Sequence, residues 1–164
     1  MEVSNFDERD IEIIGRQLGR TPRDVHRVAY RCPCGGPAVV ETPPRLSDGT
    51  PFPTFYYATC PRLTAAISTL ESEGVMDEMN ERLKVDAELA GSYAAAHDDY
   101  LAARAALGVD VPEVDGITAG GMPDRVKCLH SLAAHALSAG EGVNPLGDEA
   151  VAAIGEWWRT SPCE

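Results

Sequence analysis

The chain of 164 residues has the length of one ordinary domain, and its 44% share of hydrophobic residues is typical of a globular protein and argues against wholesale disorder. The net charge of −12 argues against nonspecific binding to nucleic acid or to an anionic membrane surface. Because no apolar run approaches the ~20 residues that span a bilayer and the acidic N-terminus lacks the apolar core of a signal peptide, we expect one cytoplasmic domain over residues 1–164.

The first third of the chain predicts one helix followed by a small sheet. Ile11, Ile14 and Leu18 recur at helical spacing, and Gly19 supplies a stop signal. Three short segments rich in β-branched and aromatic residues follow at 25–32, 38–42 and 54–59, with proline- and glycine-rich turns between them. Their order predicts an antiparallel meander of about three strands.

The remainder of the chain, from Pro61 onwards, predicts helices. Segments 63–70 and 75–83 are amphipathic, and an alanine-rich helix is expected over 86–107, followed by a loop to Gly121. A further helix is expected to begin at Pro123 and end at Gly140, and a last one to be capped by Asp148 and to run through Trp157 and Trp158. The predicted fold class is α+β: a small antiparallel sheet near the N-terminus covered by four to six helices, with residues 151–164 as a C-terminal helix and tail.

The five cysteines do not indicate a disulfide framework, because their number is odd and their spacing is irregular. Only one residue separates Cys32 from Cys34, whereas zinc knuckles usually place two residues between their cysteines, and no second knuckle exists. Cys60 ends the third predicted strand, so the meander can bring it close to Cys32. The competing interpretation is that both are small buried apolar side chains.

A third group of candidate metal ligands lies in the helix that is expected after Pro123. Cys128 and His135 share a face of that helix but are separated by about 10 Å of axial rise, and His130 meets Cys128 only if the first turn is loose. We therefore predict a site in which Cys128, His130 or His135 joins Cys32 and Cys60 around zinc or an iron–sulfur cluster. Histidines that are hydrogen-bonded in a polar core are the main alternative.

The segment around Gly120 and Gly121 supports a different interpretation. Two glycines lead into the expected helix start, which Arg125 and Lys127 flank. Free backbone N–H groups and the helix dipole favour a phosphate or a carboxylate at such a position. The spacing is not that of a Walker A motif, and an ordinary loop-to-helix junction has the same appearance.

Two further hypotheses remain open. Cys128 beside Lys127 at a helix N-terminus has the setting of a lowered thiol pKa, with His130 or His97 as its base, although no known cysteine-hydrolase signature surrounds it. The charge distribution is uneven, with a basic stretch at residues 16–31 and an acidic one at 71–115. This is typical of solvated surface, or of a non-enzymatic interaction protein that presents Asp98 and Asp99 to a protein partner.

Several motifs together resemble the bacterial domain of unknown function 501 family, over about residues 10–150. These are Arg31-Cys32-Pro33, Pro51-Phe52-Pro53-Thr54 with Tyr56-Tyr57, the run from Gly121 to His130, Ala134-His135, and Gly142-Val143-Asn144-Pro145 with Gly147-Asp148. The resemblance implies a bacterial cytoplasmic protein without an assigned activity. It also implies a shared site built from Cys32, Cys60, Cys128, His130 and His135, whose ligand it does not identify.

Overall fold

The computed structural model describes residues 7–159, and Cys163 and the last part of the expected C-terminal tail lie outside this range. The described elements are, in chain order, α1 (Glu8–Leu18), β1 (Arg27–Arg31), β2 (Pro37–Glu41), β3 (Tyr56–Ala58), α2 (Pro61–Glu71), α3 (Val75–Val85), α4 (Ala87–Ala105), a 3₁₀ turn (Pro112–Val114), α5 (Leu129–Ala139) and α6 (Pro145–Ile154). The prediction of an α+β fold with a small N-terminal sheet is confirmed.

The sheet is the predicted antiparallel meander, with the order β1-β2-β3. Helix α1, which begins with a capping box between Asp7 and Asp10, packs against β2. Successive residues of a strand point to opposite faces, so Val39 enters the main core while Val40 joins Ile14 and Val28 beneath α1. Every residue of β2 is buried because both faces of the central strand are covered.

The long helix α4 forms where the sequence predicts an alanine-rich helix, and one side of it is buried. Tyr93, Ala96 and Tyr100 are completely buried in the main core. The hydroxyl of Tyr100 accepts hydrogen bonds from the backbone N–H groups of Phe55 at 2.6 Å and Tyr56 at 3.2 Å, so α4 holds the start of β3 in place. Within residues 7–159, no helix is both long and apolar enough to cross a lipid bilayer.

Helices α5 and α6 approach each other closely at Gly147. A Cβ atom at this position would lie 2.2 Å from the carbonyl oxygen of Leu132, so only glycine fits. The predicted start of α6 is wrong, because Asn144 rather than Asp148 caps the helix by accepting the N–H of Gly147 at 2.9 Å. Its predicted end is wrong as well: the helix stops at Ile154, since Gly155 has a φ of 65°, and the two tryptophans lie beyond it.

Candidate functional site

A compact turn between Gly120 and Cys128 replaces the first turns of the helix that the sequence predicts from Pro123. Gly120 has a φ of 72°, and its carbonyl oxygen accepts the N–H of Lys127 at 2.7 Å and that of Cys128 at 3.4 Å. The chain therefore closes on itself before the helix begins at Leu129. Cys128 becomes the extended residue before the helix, with φ −150° and ψ 113°, rather than a residue inside a helical turn.

Glu71, the last residue of α2, faces this junction from 58 positions away in the sequence. Its Oε2 atom accepts the backbone N–H of Leu129 at 2.8 Å. Its Oε1 atom lies 3.3 Å from Nδ1 of His130. One carboxylate thus caps the N-terminus of α5 and contacts the histidine in the first turn of that helix.

The second ring nitrogen of His130 also faces acceptors. Nε2 lies 3.2 Å from the carbonyl oxygen of Thr64 and 3.2 Å from the hydroxyl of Ser68. A carbonyl oxygen only accepts, so Nε2 carries hydrogen, and a neutral ring then turns the lone pair of Nδ1 towards Glu71. A proton on Nδ1 removes this conflict, because Nδ1 then donates to the carboxylate. The hydrogen bond to Cys128, followed by the charge of Glu71, raises the pKa of His130 to about 9.

Cys128 is half-buried, and its thiol is affected in the opposite direction. The hydrogen bond from His130 lowers the pKa of Cys128, as do the backbone N–H groups of Ser131 and His130, while burial opposes them. The thiolate is thus stabilised at the positive end of α5.

Together, Glu71, Cys128 and His130 offer one carboxylate oxygen, one sulfur and one imidazole nitrogen that all lie within 4.8 Å of one another. Over the described range, residues 7–159, these three form the one cluster of at least three side chains with metal-ligating geometry. Cys128 and His130 also border a cleft with about 230 Å³ of open space. The remaining wall of this cleft is formed by Thr54, Tyr56, Tyr57, Ala58, Thr64 and Ser131.

Of the five metal ligands predicted from the sequence, the structure thus brings Cys128 and His130 together. Cys32 and Cys60 are 2% and 0% exposed in the main core, and neither joins that cluster. Both belong to the hydrophobic core cluster, as expected for small buried side chains.

His135 is completely buried and both of its ring nitrogens are occupied. Nε2 lies 2.9 Å from Oδ2 of Asp99, and Nδ1 lies 3.2 Å from the side-chain amide of Asn144. The ring stacks on Tyr56 at a centroid distance of 5.7 Å and meets Tyr100 edge-on. Because burial lowers the pKa of His135, the ring is neutral and donates from Nε2 to Asp99 while Nδ1 accepts from Asn144. His135 therefore fits the alternative interpretation of the sequence, in which a histidine is hydrogen-bonded within the core.

The predicted anion site loses the feature on which it was based. The N–H groups of Arg125, Val126 and Lys127 bond to Gly121, Asn80 and Gly120 respectively, so they are not free donors at a helix N-terminus. The side chains of Arg125 and Lys127 remain exposed. Anion binding at Gly120, Gly121, Arg125 and Lys127 stays a prediction.

Sequence reasoning missed Glu71, although one signal points to it. An acidic residue in the last turn of a helix is disfavoured by the helix dipole, so its presence there suggests a specific partner. The partner itself is set by tertiary packing.

Comparison with known proteins gives one match. The family model described as "Protein of unknown function (DUF501)" matches residues 28–152. This range includes helices α2 and α5, whose ends carry the three clustered residues, but not α1. Searches among curated proteins and among solved structures found no match.

Proposed function

The chain belongs to the DUF501 family of proteins of unknown function, and we propose that it binds a zinc ion through Glu71, Cys128 and His130. The observation that carries the proposal is the convergence of three different ligand types within 4.8 Å. Carboxylate, thiolate and imidazole are the ligands from which protein zinc sites are made.

The spacing of two of these atoms supports zinc. Two ligands that bind zinc at about 2.0–2.1 Å with a tetrahedral angle lie about 3.3 Å apart. Glu71 Oε1 and His130 Nδ1 are separated by 3.3 Å. Zinc would take the place of the proton that otherwise holds these two atoms together.

The surroundings of the ligands support the same proposal. The Nε2–H group of His130 donates to the Thr64 carbonyl, which leaves Nδ1 as the ligand atom, and outer hydrogen bonds of this kind orient metal-bound histidines. The second oxygen of Glu71 is held by the Leu129 N–H. Both side chains are therefore oriented before a metal arrives.

The ligand set favours zinc over an iron–sulfur cluster. Clusters are held mainly by several thiolates, and this group contains one. Three protein ligands beside an open cleft leave a fourth position for water or a ligand, which is the pattern of catalytic rather than structural zinc sites.

Metal analysis tests the proposal. We expect one zinc per chain in protein purified without chelators, and micromolar or tighter zinc binding to the metal-free protein by calorimetry. The variants Glu71→Gln, Cys128→Ser and His130→Gln should each lose more than about a hundredfold in affinity, beyond the loss typical of outer-shell changes. Binding of Co²⁺ should produce a thiolate-to-metal charge-transfer band that Cys128→Ser removes.

Each variant has a matched control at an exposed position: Glu73→Gln, Cys34→Ser and His26→Gln. These controls should bind zinc like the unmodified protein. Failure of the metal-free protein to bind zinc at micromolar concentration, or equal losses in variants and controls, would contradict the proposal.

The position of Cys128 favours a second candidate function, that of a thiol nucleophile. Its thiol lies at the N-terminus of α5, beside a cleft and next to a histidine that Glu71 orients. Alkylation with iodoacetamide, before and after treatment with a chelator, distinguishes the candidates. Rapid modification of Cys128 in protein as purified supports the nucleophile, whereas protection that disappears only after chelation supports zinc.

A further inference from the structure

A second cleft lies on the α1 side of the sheet, with about 280 Å³ of open space. We call it the arginine cleft because Arg20 and Arg23, from the basic stretch noted in the sequence, stand at its rim. Its other lining residues come from the end of α1 and the loop after it, from β2 and β3, and from the proline-rich loop between these two strands.

The interior of the arginine cleft is apolar and aromatic. Val40, which is 1% exposed, forms part of it together with the partly buried Leu18 and Leu46. The rings of Phe52 and Tyr57 stand side by side, with centroids 6.5 Å apart and planes inclined by 49°. An apolar interior with a few polar groups at the rim is the usual construction of a small-molecule site.

The two carboxylates of the cleft already accept hydrogen bonds from the chain, whereas its two guanidinium groups do not donate any to the described residues. Asp24 accepts the N–H of Ser47 at 2.7 Å, and Asp48 accepts the N–H of Thr50 at 2.9 Å. Within the part of the chain that the structure describes, Arg20 and Arg23 form no ion pair or side-chain hydrogen bond, and Arg23 interacts with Asp48 only at longer range. The guanidinium groups are thus the donors that remain for a ligand.

We propose that the arginine cleft binds a small molecule with a flat apolar ring and a carboxylate or phosphate group. The ring packs against Tyr57 and Phe52, since aromatic faces attract flat apolar groups. The anionic group lies between Arg20 and Arg23, because a guanidinium matches the geometry of both carboxylate and phosphate oxygens. Carboxylate and phosphate share this chemistry, and the experiment below determines which of them binds more tightly.

This inference goes beyond the zinc site and does not depend on it. The two clefts share a single lining residue, Tyr57, which is 39% exposed. None of the residues that hold the ring or the anion is a proposed zinc ligand. Cys128→Ser should therefore leave ligand binding in the arginine cleft intact.

Calorimetry with four probes tests the proposal. Phenyl phosphate and benzoate each combine a ring with an anion, whereas inorganic phosphate and benzyl alcohol each supply one part alone. We expect at least one combined probe to bind about tenfold or more tightly than either partial probe, since ring and anion contacts add on one molecule. Which of the two combined probes binds more tightly identifies the preferred anion.

Variants locate the binding. Arg20→Ala combined with Arg23→Ala should weaken the better probe about tenfold or more, while Arg62→Ala, a change of an exposed arginine on α2, should have no effect. Tyr57→Ala should weaken binding and Tyr57→Phe should preserve it. Unchanged thermal unfolding shows that each variant is folded. Equal binding of combined and partial probes, or a double variant that binds like the unmodified protein, would overturn the proposal.

Discussion

The carboxylate of Glu71 holds the backbone N–H of Leu129 at 2.8 Å while its other oxygen lies 3.3 Å from the His130 ring. The end of α2 and the beginning of α5 are thereby joined through one side chain. The same contact fixes the first turn of α5, which places Cys128 and His130 next to each other. The local helix geometry, the positions of the proposed zinc ligands and the stability of this junction are therefore linked.

Removal of the Glu71 carboxylate should destabilise the metal-free protein. Glu71→Ala leaves the Leu129 N–H without its cap and should lower the free energy of unfolding by about 1 kcal/mol. Urea unfolding followed by circular dichroism measures this. Glu73→Ala, on an exposed residue just beyond α2, is the control and should change stability by less than about 0.5 kcal/mol.

His130 should titrate at high pH in the metal-free protein. Because hydrogen bonding to Cys128 and the charge of Glu71 raise its pKa to about 9, its ring resonances should shift near that pH in an NMR titration. A raised folded-state pKa stabilises the protein fully below the ordinary value of 6.5, and this contribution is lost as the pH rises through about 9. Zinc should abolish the titration, and a ring that titrates near 6.5 without metal would contradict the described contacts.

His135 should show the opposite pH dependence. Burial lowers its pKa below 6.5, although Asp99 and Asp148 act in the other direction. A lowered folded-state pKa means that the contribution of His135 to stability is complete above pH 6.5 and is lost as the pH falls through the folded value. Unfolding measured between pH 7 and pH 5 should show this loss. His135→Gln should reduce that slope, and a slope that is unchanged in the variant would assign the effect to other groups.

The contact between α5 and α6 should be sensitive to a single methyl group. A Cβ atom in Gly147→Ala would lie 2.2 Å from the Leu132 carbonyl oxygen and 2.9 Å from the Cβ of Ala136, so the helices must separate. We expect a loss of about 1–3 kcal/mol in the free energy of unfolding.

The control for this change is Gly91→Ala near the start of α4, where no atom beyond the neighbouring backbone of the helix itself lies within 4 Å of the added Cβ. It should be neutral or should stabilise the helix by about 0.5–1 kcal/mol, as alanine normally does. Equal losses of stability at the two positions would show that Gly147 is not required for the close packing of α5 and α6.

Features encoded by short-range patterns could be predicted from the sequence. The three-stranded meander and the position of α4 follow from residue alternation, helical periodicity and turn residues, all of which act within about ten positions. Cys128 and His130 could be named as candidates on residue type alone. The two side chains can meet only if the first turn of the helix is loose, which the sequence allowed but did not decide.

The tertiary structure alone decided how segments far apart in the chain form the first turn of α5. The carbonyl oxygen of Gly120 accepts the N–H groups of Lys127 and Cys128, which a helix from Pro123 would use for its own hydrogen bonds. The helix begins at Leu129 instead, where Glu71 of α2 caps it. Cys32, Cys60 and His135 share the residue types of a metal site, but packing buries them among apolar side chains or satisfies their hydrogen bonds. Residue type and periodicity are local properties, whereas the meeting of ligand atoms depends on contacts between residues far apart in the chain.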